Sequence, residues 1–279
     1  MADITVSSWA ELNDTLYAGS WHEGIGRFRA SYAFRGVGNA SHDLRTTLRR
    51  LGPEAGKLEG HILRNFRKYA HRETVSDDSV WNWLAVAQHH GLPTRLLDWT
   101  YSPYVALHFA TEWLEHFECD AVVWCVDYVC ANEFLPDSLR EILEDEGSDV
   151  FTAEMLQRAA PSLREFDALA EDAFLVFFEP PSLDQRIINQ FALFSLLSDP
   201  LLPLDAWLHR HPEVVRKVIV PASLKWEIRD KLDQANITER VLYPGLDGLG
   251  RWLTRYYTPR ERPAPSPRSP ERDPRDEGG

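Results

Sequence analysis

The stretch from Ser79 to Phe117 constrains the fold more than any other part of the chain, because helical, extended and again helical patterns follow one another there with clear punctuation. Ser79 opens a helix in which Val80, Leu84, Ala87 and Gln88 recur at i, i+4, i+7 and i+8, and Gly91 and Pro93 stop it. The run from Thr94 to Thr100 reads as extended. Ser102 and Pro103 then supply the cap and first-turn residue of a second helix, whose apolar face is Ala106, Phe109, Ala110, Trp113, Leu114 and Phe117. Such a helix packs along a core and fixes the strand before it.

The other segments extend this pattern. Ser7 or Ser8 caps a first helix through Leu16, with Glu11 three residues after Ser8 in a capping-box arrangement. Tyr32 to Arg35 alternates as a short strand, Tyr32 and Phe34 facing one side and Ala33 and Arg35 the other, with Gly36 and Gly38 expected to end it. A charged helical region is predicted over residues 53–72 and further strands over 121–128, 173–179, 191–197 and 214–220. The region 131–172 reads mainly as helix, Pro221 and Ser223 open a helix with Leu224, Ile228 and Leu232 on one face, and 246–257 forms a last amphipathic segment. Strands scattered irregularly among helices favour α+β over a doubly wound sheet. The expectation is one α+β domain over residues 31–258, a central mixed sheet with flanking helices, preceded by an N-terminal helix and linker (1–30) and followed by a disordered tail (259–279).

That tail mixes Pro with five Arg and five Asp or Glu and holds no large apolar residue to offset ordering entropy. The formal charge of −13 therefore sits on the rest of the chain, so nonspecific binding to duplex nucleic acid is not expected. The basic stretch Arg45, Arg49, Arg50, Arg64, Arg67, Lys68 and Arg72 reads as a solvated helix face. No apolar run is long enough to span a bilayer, no membrane partner is expected, and the first residues lack the regions of a signal peptide, which points to a cytoplasmic location. Three cysteines, Cys119, Cys125 and Cys130, contain no Cys-x-x-Cys pair and read as small buried hydrophobes.

The densest chemistry lies in QHHGLPTRLLDWT, residues 88–100. In an extended chain Thr94, Leu96, Asp98 and Thr100 share one face and Arg95, Leu97 and Trp99 the other, so Asp98 and Thr100 can jointly bind a ribose or other hydroxyl. The alternative is that Asp98 accepts a buried bond from Arg95 or a backbone amide. His89 and His90 point in different directions, one structural and the other able to polarise a leaving group or hold a ribose. Arg35 carries a rigid fork of donors suited to phosphate, with Gly36 and Gly38 allowing backbone amides to approach it; the alternative is a buried ion pair with Asp98 or Asp43. No carboxylate or third His stands at metal-ligand spacing, so no metal is expected.

The blocks YAFRG (32–36), LAVAQHHGLPTRLLDWTYSPYVALHFA (84–110), RIINQFALF (186–194) and VLYPGLDG (241–248) resemble the FRG-domain family over roughly residues 32–252. A strand with Arg, then a strand with hydroxyl residues leading into a helix, is also similar to the ADP-ribosyltransferase layout. That second resemblance implies NAD as substrate, Arg35 with Gly36 as phosphate clamp, and Asp98 with Thr100 in place of the hydroxyl strand, with Thr94 and Arg95 beside them. His89 or His90 and Gln190 would complete the catalytic set. It implies a mono-ADP-ribosyltransferase modifying a macromolecular acceptor, protein or nucleic acid, and is compatible with a toxin or antiviral role. The alternative is a noncatalytic nucleotide-binding or protein-interaction module. The sequence departs from the layout where a catalytic Glu is expected: RIINQFALF offers Asn189 and Gln190, and Glu179 is the nearest other carboxylate.

Overall fold

A computed structural model describes residues 3–70, 77–182 and 184–260. Its strands are β1 (Asp3–Thr5), β2 (Trp21–His22), β3 (Arg27–Phe28), β4 (Tyr32–Val37), β5 (Leu97–Thr100), β6 (Ala121–Asp127), β7 (Leu175–Phe178), β8 (Ala192–Leu197) and β9 (Val215–Val220). The helices are α1 (Trp9–Tyr17), α2 (Ala55–Tyr69), α3 (Val80–His89), α4 (Pro103–Ala110), α5 (Tyr128–Asn132), α6 (Asp137–Glu146), α7 (Ala153–Ala159), α8 (Leu163–Asp167), α9 (Gln185–Asn189), α10 (Leu204–Arg210), α11 (Lys225–Gln234), α12 (Glu239–Leu242) and α13 (Leu246–Tyr257).

Seven strands form one mixed sheet in the order β1-β9-β6-β4-β5-β8-β7, and β2 and β3 form a separate hairpin. Only β1 and β9 run parallel; every other pairing in the sheet is antiparallel. The expected α+β class with a central mixed sheet and flanking helices is the observed one.

Alternation along the strands sorts their side chains into two apolar layers. Ala33, Leu97, Trp99, Val122, Trp124 and Val126 join Trp207 and Leu208 of α10 on one face. Phe34, Val123, Cys125, Val218 and Val220 pack on the other against Leu12 and Leu16 of α1, Ala106 and Leu107 of α4, and Ile228 and Leu232 of α11. A third cluster covers the other face of β7 and β8, where Val176, Phe178, Phe194 and Leu196 meet Trp81 and Leu84 of α3 with Leu139, Leu156 and Phe166.

Helix starts follow the predicted caps. Ser8, Ser79 and Ser102 each accept a bond from the backbone N–H three residues on. Glu11, however, turns its carboxylate to the N–H and hydroxyl of Ser7 rather than back to Ser8. Four further expectations are corrected. Gly36 does not end β4, which runs through it to Val37 while pairing with β6 over six residues. The extended run begins in the ladder only at Leu97, so Thr94 and Arg95 lie outside the sheet. The second helix stops at Ala110, where Thr111 caps it, and a single 3-10 turn follows at Leu114–His116. Cys125 is the one fully buried thiol, pushed up to about 12 by burial, while Cys119 and Cys130 are half-buried. Of the expected tail, residues 261–279 lie outside the described residues, as does Arg72 of the basic stretch. Among the described residues no helix is long and apolar enough to cross a membrane.

Candidate functional site

The sheet has a gap between β4 and β5. These strands pair at a single position, Phe34 with Thr100, after which β4 continues alongside β6 and β5 alongside β8. A cleft of about 490 Å³ opens at the divergence, lined by Phe34 to Asn39 of one strand and its exit, Asp98 to Thr100 of the other, and Glu112, His116, Arg186, Gln190 and Tyr243. Its volume lies within the range usual for small-molecule sites, about 300–1,000 Å³.

Arg35 sits at this gap. It leaves β4 on the side of Ala33 and Val37, whereas Asp98 leaves β5 on the side opposite Leu97 and Trp99, so the two side chains start from opposite sheet faces and meet only through the opening. The Arg35 guanidinium donates to the backbone carbonyl of Asp98 at 2.5 Å, not to its carboxylate, which accepts from Gln88 Nε2 at 3.0 Å. Neither expected ion pair for Arg35 forms; Asp43 pairs with Arg45 at 2.6 Å. Burial lowers the Arg35 pKa, with Asp98 opposing and Arg50 adding to the shift, and its Nε has no acceptor among the described residues.

The opposite wall was not foreseen from sequence. Glu112 follows the early end of α4, and its side chain is 9% exposed with Oε1 unbonded and 4.0 Å from the Arg251 guanidinium. Burial raises its carboxyl above the usual range, against the lowering influence of Tyr243 and Arg251. The guanidinium groups of Arg186 and Arg251 each lie 5.1 Å from the Tyr243 ring centroid. Both ring nitrogens of His116 are also buried without hydrogen-bond partners among the described residues. Only the i+3 step from Phe109 to Glu112 hinted at this placement, and a helix continued to Phe117 conceals it.

Lys225, fully buried on α11, ties two walls together by donating to the carbonyls of Gly38 (2.7 Å) and His116 (2.6 Å). Burial draws its amine down to about 8. The α9 wall is fastened similarly: Asn189 Nδ2 donates to the Val241 carbonyl at 2.7 Å and Gln190 Nε2 to that of Leu242 at 2.9 Å.

Of the residues singled out in the sequence, the cleft brings together Arg35, Gly36, Asp98, Thr100 and Gln190. Thr100 is buried, and its hydroxyl donates to the Gln190 carbonyl at 2.7 Å while accepting from the Ser102 N–H. Gly36 lines the cleft, but its missing side chain makes room for α4, since a Cβ there would lie 1.7 Å from the Ala106 carbonyl oxygen. His89, His90, Thr94 and Arg95 do not line it. His89 pairs with Asp184 at 2.9 Å and meets His90 edge to face. Thr94 donates to Gln88 Oε1 and accepts from the Leu96 N–H. Arg95 is buried in bidentate contact with Glu59 and bonded to Asp167, an arrangement that closes the fold rather than facing a ligand. Glu179 accepts from the Tyr101 hydroxyl at 2.9 Å and lies outside the cleft.

Comparison with curated proteins and with solved structures yields no match. The FRG domain model matches residues 30–119. The match takes in Arg35, Gly36, Asp98, Thr100, Glu112 and His116, while the RIINQFALF and VLYPGLDG blocks that complete the cleft lie beyond it. This chain therefore carries an FRG domain, and that domain supplies the β4, β5 and α4 walls of the cleft.

Proposed function

We propose that the cleft binds NAD and that the chain is an ADP-ribosyltransferase-like enzyme transferring ADP-ribose to a macromolecular acceptor. The observation that carries this reading is that the Arg35 guanidinium and the Glu112 carboxyl line one opening and each keeps a buried, unsatisfied atom, Arg35 Nε and Glu112 Oε1. Unpaired polar atoms of this kind cost stability and are kept where a ligand satisfies them.

The residues fit a dinucleotide by the chemistry of their donors. Arg35, with Arg186 on the facing wall, presents planar forks suited to phosphate oxygens. Asp98 and Glu112 supply acceptors for ribose hydroxyls, and the Phe109, Trp113 and Tyr243 rings supply apolar surface for a base. NAD brings an activated glycosidic bond, whose departing base leaves positive charge on the sugar. A carboxylate at Glu112 stabilises that charge electrostatically. Gln190 serves as a positioning residue here, since its side-chain amide donates to the Leu242 carbonyl and its backbone carbonyl accepts from the Thr100 hydroxyl.

The noncatalytic alternative has one observation in its favour, the engagement of the Gln190 amide in fastening a wall. Incubating the chain with labelled NAD, total cell protein and RNA separates the readings. Label transfer with nicotinamide release, lost in Arg35→Ala and in Glu112→Gln, supports the enzyme. Saturable NAD binding with neither product supports the binding module, and absence of binding removes both.

A further inference from the structure

A second cleft, of about 650 Å³, lies among α11, α12 and α13 and shares no lining residue with the first. Trp226, Trp252 and Tyr256 give it aromatic walls. Two polar atoms in those walls are buried and unpartnered among the described residues, Trp252 Nε1 and Thr238 Oγ1. Thr238 is fully buried at the N-cap of α12, yet its hydroxyl caps nothing, although that is the usual use of a threonine there. Of the two acids in the cleft, Asp233 is consumed by Arg255 and Arg229, whereas Asp230 is exposed and forms no ion pair among the described residues.

Aromatic rings flanked by an indole donor and a free carboxylate are the surface that receives a polyproline II segment. Proline rings pack between the aromatic side chains, the indole N–H donates to a backbone carbonyl, and an acid pairs with a basic residue of the peptide. The chain carries such a segment where it is needed. Arg260, the last described residue, lines this cleft and holds its guanidinium 6.0 Å from the Trp226 ring centroid. It is followed at once by ERPAPSPRSPER, residues 261–272, in which Pro263, Pro265 and Pro267 alternate with small residues and Arg262 and Arg268 flank them. At about 3.1 Å per residue, seven residues of polyproline II reach roughly 22 Å, enough to cross a cleft of this size from its own lip. The tether keeps the local concentration of the segment high, so weak contacts suffice.

We propose that residues 261–272 dock in the Trp226–Trp252–Tyr256 cleft of the same chain, with Trp252 Nε1 donating to their backbone and Asp230 pairing with one of their arginines. Alternating proline with flanking arginine is the composition such a groove selects.

The test uses the full chain, labelled for nuclear magnetic resonance, with the Trp252 indole N–H as reporter. It is compared with a full chain carrying Pro263→Gly, Pro265→Gly and Pro267→Gly, and with Trp252→Phe to assign the signal. The expected result is slow hydrogen exchange at the Trp252 indole in the unmodified chain, loss of that protection in the glycine variant, and its return when a synthetic peptide of residues 261–272 is added to the variant. Equal exchange in the two chains, or a variant indifferent to the peptide, overturns the proposal. Protection that grows with protein concentration places another copy's segment in the cleft and overturns it as well.

Discussion

Gly36 and Ala106 stand so close that a methyl group on the first would lie 1.7 Å from the carbonyl oxygen of the second and 2.8 Å from the Ala110 N–H nitrogen. The contact is backbone on backbone, so no side chain can move aside. It seats α4 directly on β4 beside Arg35, and thereby sets where Glu112 emerges two residues past the helix end.

Gly36→Ala should consequently lower stability by about 1–3 kcal/mol or more, the usual size for overpacking, and should weaken NAD binding through displaced α4. Urea denaturation together with calorimetric titration checks both effects. An unchanged midpoint would mean that α4 does not rest on β4 backbone to backbone.

Arg35 and Arg95 are expected to behave oppositely. Arg95→Ala strands the buried Glu59 carboxylate and should cost about 3–5 kcal/mol, as breaking a buried ion pair does. Arg35→Ala breaks no ion pair and relieves an unsatisfied Nε, so stability should change by about 1 kcal/mol or less while NAD binding is lost. Thermal melts and ligand titrations of the two variants, side by side, decide the assignment.

Glu112 has a pKa raised in the folded state above its ordinary value of 4.5, so the folded chain binds this proton more tightly than the unfolded one. Its contribution favours folding at acid pH and is lost as pH rises from about 4.5 through the raised value. Glu112→Gln keeps the neutral form throughout. Plotted against pH, the stability of the variant relative to the unmodified chain should climb across that window and then level off; a flat difference would show a solvated carboxylate.

His108 supplies the opposite sign. Fully buried on α4, with Nδ1 2.9 Å from Arg229, it is held neutral because burial and then the charges of Arg229 and Arg255 push its pKa well below 6.5. The stability it contributes is present above the unfolded value of about 6.5 and falls away as pH drops toward the folded one. A His108→Gln chain should lose less stability between pH 7 and pH 5 than the unmodified chain, measured as denaturation midpoints across that interval; equal losses would point to other titrating groups.

Local pattern and stop signals were enough to fix the element types. Ser79, Gly91, Pro93, Ser102 and Pro103 act on their immediate neighbours, so the α3–β5–α4 order and the α+β class followed from sequence alone. Arg35, Asp98 and Thr100 were singled out the same way, because YAFRG and the 84–110 block are contiguous and distinctive. Tertiary structure decided the rest. The ladder between β4 and β5 breaks after one pair, which no pattern in either strand announces, because each strand finds a longer partner elsewhere. Arg95, expected beside Asp98 and Thr100, was instead claimed by Glu59, 36 positions away, since a guanidinium goes to whichever acceptors the packed chain brings to it. Glu112 was legible only once α4 had an end, and Tyr243, Arg186 and Lys225 only once α9, α11 and the chain before α13 had closed around it. Periodicity reports which way a residue faces within its own element; what it faces is set by contacts between elements far apart in sequence.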